Sequence, residues 1–214
     1  MSTHVFNMHD IQCKRLGFSY QYDLLSNIVD AQILAIRKAS EFYEESKKSG
    51  FQDYIEIVAE EQGDIVEGLI GCSFVVCQVY ITHVVSRVQS LQNTAKNDSK
   101  ELKTTPDSKQ EIRRSFSPKV SSTNIGYVEA INALANYFKH NEEWGEWAKQ
   151  TGQEKQTISI IQPLGLSYGS SRNLSKGLQT LGGDLQALFH ILKKWQSDLS
   201  AAYIAELRTL NLVS

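Results

Sequence analysis

The chain carries few of the residues that announce a reaction or a covalent framework. Only three cysteines occur in 214 residues, Cys13, Cys72 and Cys77, and no two of them form a CxxC pair. Neither a disulfide scaffold nor a thiolate metal knuckle is indicated, and a chain of this length buries a continuous core without staples. Reduced thiols in a cytoplasmic protein are the expectation. The phosphate-loop pattern GxxxxGK[ST] is missing, as are GxGxxG, HExxH and GxSxG, which removes the commonest nucleotide, zinc and serine-hydrolase chemistries. The N-terminal residues lack a basic stretch followed by an apolar one, so no secretion signal is expected. The net charge of −2 offers no overall basic field of the kind that holds nucleic acid.

Charge is also absent locally, and that absence organises the chain. Between Glu67 and Arg87 lie nineteen residues without a formal charge, Gly68 to Ser86, apolar on every helical face. Such a helix has to be surrounded. About 20 apolar residues span a bilayer, but Gln78, Thr82, His83 and Ser86 are costly in hydrocarbon and charges resume on both sides. A central helix in a soluble, all-α bundle is therefore expected, with residues 65–88 as its most buried segment and no membrane partner.

The flanks support a single domain over 1–214. Tyr22 to Lys48 places Leu24, Leu25, Ile28, Val29, Ile33, Ile36 and Phe42 at helical spacing and stops at Gly50. A second helix runs from about Asp53 to Leu91, with Gly63, Gly68 and Gly71 as candidate kinks. Gln92 to Asn124 holds two of the three prolines and seven basic against four acidic residues. It reads as a long polar loop between the second and third helices, either flexible or functional. Ser122-Thr123-Asn124 is expected to cap a third helix, Ile125 to Ala148, whose core face is Tyr127, Ala130, Ile131, Leu134, Tyr137 and Phe138. Residues 150–171 read as a loop or short helix, with a small strand as the alternative. A short helix follows from Asn173 to Leu181, stopped by Gly182-Gly183. Asp184 then caps a last helix with Leu185, Leu188, Leu192, Trp195, Leu199 and Ala202 at alternating three- and four-residue spacing.

Few groups are placed for chemistry. His4, His9 and Cys13 have irregular metal-like spacing without turn signals, and no metal site or cofactor is assigned. His83 and His190 lie in apolar helical contexts, where satisfied core histidines are the common case. The remaining constellation is Asn136, His140 and Glu143. Asn136 and His140 are one helical turn apart, so an imidazole for acid–base work and an amide to orient a phosphate address one volume, and Glu143 is placed to hold the ring. The alternative is a structural polar edge beside Trp144 and Trp147.

A long central helix followed by Asn-x-x-x-His late in the chain resembles the HEPN superfamily, whose active members are metal-independent ribonucleases, often toxins or defence effectors working as dimers. The resemblance implies an RNA-directed protein with Asn136 and His140 in the motif's polar and histidine positions. The arginine that precedes them in the family is replaced here by Ala135. Either the chain is a non-catalytic relative, or a cation such as Arg113, Arg114 or Arg172 substitutes in contacting RNA. The competing expectation is a non-enzymatic interaction protein that binds a partner through its terminal helix and tryptophan-bearing edge.

Overall fold

The computed structural model describes residues 8–17, 20–103, 105–121 and 123–213. The fold is an all-α bundle: α1 (Met8–Gly17), α2 (Tyr20–Ser46), α3 (Gln52–Asn97), α4 (Lys109–Arg114), α5 (Tyr127–His140), α6 (Gly152–Ile161), α7 (Asn173–Thr180) and α8 (Leu185–Thr209). Among the described residues there is no strand, only an isolated bridge between Lys119 and Gly126. The segment 150–171 holds α6 and a 3-10 turn, Gln162–Leu164, followed by irregular chain, and no strand.

Helix α3 is the organising element. At 46 residues it is about 69 Å long, and it packs against α1, α2, α4, α5, α7 and α8. None of its glycines breaks it. Gly71 instead lets α5 come close, since a Cβ there would sit 2.2 Å from the Phe138 ring, and Gly63 leaves room for the Arg172 guanidinium. The helix is apolar and long enough to cross a bilayer, yet it is the shared wall of a helical bundle.

It is not wholly surrounded, which corrects the expectation for residues 65–88. Ile70, Phe74, Cys77, Ile81, Val84 and Val88 are buried, whereas Ile65, Cys72, Val79 and His83 form an uncovered strip on the opposite side. The bundle has partners for most of the circumference of α3 and none for this arc. Burial pushes the Cys77 thiol up to about 12 and raises that of Cys13. Only the thiolate attacks a disulfide reagent. At pH 8 Ellman's reagent is therefore expected to modify Cys72 rapidly and Cys13 and Cys77 only after unfolding, with Cys72→Ser removing the fast phase. Protection of Cys72 in the native protein would mean that the strip is covered.

The last helix follows its sequence signals. The Asp184 side chain accepts hydrogen bonds from the Gln186 and Ala187 N–H groups at 2.8 and 3.2 Å, and Leu185, Leu188, Leu192, Trp195 and Leu199 are buried against the rest of the chain. The apolar face of α8 is thus used internally. His83 and His190 are both exposed, not core residues; His190 Nδ1 lies 3.2 Å from the Tyr22 hydroxyl.

The polar connection between α3 and α5 has its own structure. Helix α3 runs beyond Leu91 to Asn97, and Ser108 caps α4 in a reciprocal box with Glu111. The stretch before α4 docks on α8, where buried Glu206 accepts from the Lys103 N–H (2.5 Å) and the Thr105 hydroxyl (2.6 Å). The Tyr203 hydroxyl donates to the Pro106 carbonyl, as does Gln92 Nε2 at 2.6 Å. The start of α5 is held from a distance: Ser117 Oγ, not Thr123 or Asn124, accepts from the Val128 N–H at 3.1 Å, and Ser122 lies outside the described residues. A Cβ on Gly126 would lie 2.8 Å from that oxygen, so the glycine admits the cap.

Candidate functional site

Four helices each turn a polar stripe toward one cleft of about 650 Å³. Helix α3 contributes Gln78 and Thr82, α4 Gln110, Arg113 and Arg114, α5 Glu129, Asn132, Asn136 and Lys139, and α6 Gln153, Gln156 and Thr157. Within each helix these residues recur at intervals of three or four, so each stripe lies on one face. The same spacing puts α5's core residues on another face. Val128, Ile131, Leu134 and Ala135 are fully buried.

The floor of the cleft is an amide network. Gln78 Nε2 donates to Asn136 Oδ1 at 2.8 Å and to Asn132 Oδ1 at 3.1 Å. Both asparagines spend their oxygens on Gln78, so their Nδ2 groups are left as donors without a hydrogen-bond partner among the described residues. On the wall, Arg114 donates from Nε and Nη2 to Glu129 Oε1 at 3.0 and 2.7 Å, and this hydrogen bonding raises its pKa. Arg113 differs. It is half-buried, its pKa is lowered by burial first and by the neighbouring Arg114 against the pull of Glu129, and it makes no ion pair within 4 Å among the described residues. With Lys139 the lining carries three cations against one carboxylate. A half-buried guanidinium that shares one carboxylate, Glu129, with Arg114 and makes no close ion pair of its own, in a lining that also offers amide donors, is suited to an anion with several acceptor oxygens.

The expected site residues divide. Asn136 lines this cleft together with Arg113 and Arg114. His140 does not line the cleft, because it sits at the C-terminal end of α5, past Lys139, where the facing helices no longer accompany it. It is exposed at the end of the helix, with Nδ1 3.4 Å from Glu143 Oε2. Helix α5 stops at His140, short of the expected Ala148, so Glu143 lies in a 3-10 turn, Asn141–Glu143. Arg172 belongs elsewhere, with Nη1 3.6 Å from Asp64 Oδ1 in a groove between α2, α3 and α7.

Ala135, next to Asn136, faces the core and not the cleft. Its position is fully buried, so a guanidinium there would need a core partner and would not enter the cleft. Arg113 and Arg114 bring positive charge to Asn136 from another helix. The tryptophan edge is internal packing: Tyr137 lies edge-on to Trp144 and Trp147, with ring centres 5.9 and 6.0 Å apart, and its hydroxyl accepts from Asn173 Nδ2 at 2.8 Å. His9 is paired with Asp98 at 2.6 Å, and His4 lies outside the described residues.

Sequence reasoning missed Gln78, Asn132, Lys139 and the α6 glutamines. The signal was present in the three- and four-residue spacing, but a polar stripe on one helix is indistinguishable from a solvated face until its neighbours are placed. Compared with protein-family models, curated proteins and solved structures, the chain matches none of them.

Proposed function

We propose that the chain is an RNA-directed helical protein, HEPN-like in character, that binds a phosphate-bearing strand in the cleft between α3, α4, α5 and α6 and does not cleave it. The observation that carries this reading is Arg113, half-buried without an ion pair beside the donor groups of Asn132 and Asn136. A phosphate oxygen would balance the excess of positive charge in the lining, three cations against Glu129 alone, and the surrounding amides match the mixed donors and acceptors of base and ribose. Cleavage is not part of the proposal, because the imidazole of His140 stands outside the cleft and Ala135 supplies no charge.

The test is fluorescence anisotropy with a labelled single-stranded 12-mer RNA at low salt, with a free mononucleotide as competitor. Arg113→Ala removes a charge-assisted contact worth about 1.5–3 kcal/mol and is expected to weaken binding by about 10- to 100-fold. It is also expected to reduce the salt slope by about 0.7. His140→Ala is expected to change neither binding nor stability, since its side chain is about half exposed. Unchanged affinity in Arg113→Ala would remove the cleft reading. EDTA-resistant cleavage lost in His140→Ala would instead restore the catalytic one.

A further inference from the structure

The far end of the α2–α3 hairpin combines exposed apolar side chains with an excess of acid, and neither feature belongs to the cleft. Phe42, Phe51, Tyr54, Ile57 and Ile65 are all exposed, Phe51 to 73%. Further along the same two helices, Leu24, Ile28 and Val79 are exposed as well. Ser73 Oγ donates to Gln32 Oε1 at 2.8 Å, which sets the register of the antiparallel pair and puts Phe42 level with Gly63, two residues from Ile65.

Helical periodicity then sorts the side chains. Leu24, Ile28 and Phe42 fall within an arc of about 40° on α2, and Tyr54, Ile65, Cys72 and Val79 within a similar arc on α3. Helix α8 occupies the other side of the pair, where Gln186 and His190 meet Asp30 and Tyr22. The two arcs therefore form one face. From Tyr54 to Val79 it runs for about 38 Å, with Glu61 and Gly68 set into the same arc, and exposed apolar side chains recurring on one face over this length form a patch, not isolated contacts.

The charge around it selects the occupant. Residues 37–67 hold nine acidic and four basic side chains, a balance of −5 in a chain of −2, so the remainder is +3. Some of these acids have structural work: Glu67 accepts from the N–H groups of Leu174 and Ser175 at 2.9 Å each, Glu44 pairs with Lys47, and Asp64 faces Arg172. Glu41, Glu45, Asp53, Glu56, Glu60 and Glu61 are exposed and have no cation within 4 Å among the described residues. A second copy would bring two such acidic ends together, and an anionic bilayer would be repelled.

We propose that this face docks a basic amphipathic helix of a partner protein, about 20 residues long, laid between α2 and α3 with its most basic end over the hairpin tip. Its apolar residues at three- and four-residue spacing fill the stripe, and its lysines or arginines reach Glu61, which lies within the α3 arc, and Glu60 on its outer flank. The inference is independent of the cleft and of RNA.

The test titrates the full chain with a fluorescein-labelled 20-residue peptide that has leucines on one helical stripe and lysines on the flanks. The comparisons are a scrambled peptide of equal composition and a version with glutamates for lysines. Binding by the ordered lysine peptide alone is expected, weakened at least tenfold by Ile65→Asp and by Glu60→Lys/Glu61→Lys. The glutamate peptide is expected to recover binding to the charge-reversed protein. Both sites are solvent-exposed, and circular dichroism confirms folding of each variant. Absence of binding, equal binding of the scrambled peptide, or indifference to these substitutions would overturn the proposal. So would concentration-dependent self-association, or binding to vesicles containing phosphatidylserine, that is lost in Ile65→Asp.

Discussion

Trp195→Ala is expected to lower the stability of the protein by about 3–5 kcal/mol, a large share of the 5–15 kcal/mol that holds a typical domain together. Trp195 is fully buried on the core face of α8, among the largest side chains with no solvent contact. Truncation removes its apolar area from the core and leaves a cavity that helices on several sides would have to move to fill. It also strips a partner from the connection, because Trp195 Nε1 donates to the Ser115 carbonyl at 3.0 Å. Urea denaturation separates the two effects. Trp195→Phe keeps most of the volume and is expected to cost about half as much, the hydrogen bond accounting for roughly 1 kcal/mol. A loss below about 1 kcal/mol in Trp195→Ala would mean that α8 is not packed as described.

Glu206→Ala is expected to have the second largest effect, about 2–4 kcal/mol, because a buried carboxylate that holds two donors leaves both unsatisfied when removed. The donors are the Lys103 N–H and the Thr105 hydroxyl, so the damage is expected to be concentrated in the connection between α3 and α4. Limited trypsin digestion reads this directly. Cleavage after Lys103 should accelerate severalfold in Glu206→Ala relative to the parent, while sites in α8 change only in proportion to global stability. Equal cleavage rates in the two proteins would show that Glu206 does not restrain the segment.

These residues also mark where the sequence could be read and where it could not. Helix α8 was legible because each of its signals is local: Asp184 at the cap, Gly182-Gly183 before it, and Leu185 to Leu199 at coiled-coil spacing. The continuity of α3 was legible from its charge-free run, but its uncovered strip was not, since pattern alone does not tell how many neighbours a helix has. The segment from Gln92 to Asn124 looked like a polar loop because the groups that hold it, Glu206, Tyr203 and Trp195, lie some hundred residues away in α8. The cap of α5 failed as a local reading for the same reason: Ser117 reaches Val128 across a bend admitted by Gly126. Asn136 lines the cleft and His140 stands outside it at the end of α5, because two residues a turn apart share a volume only if the wall of the cleft follows them. The wall follows Lys139.

Side-chain NMR of the isotopically labelled chain offers the most direct view of where RNA sits. The Nε–Hε resonance of Arg113 and the side-chain amides of Gln78, Asn132 and Asn136, each assigned by substitution, are expected to shift together as the 12-mer is added, while the His140 ring and the Nε–Hε of Arg172 stay in place. Shifts at His140 and Arg172 with an unmoved Arg113 would contradict the assignment of the cleft.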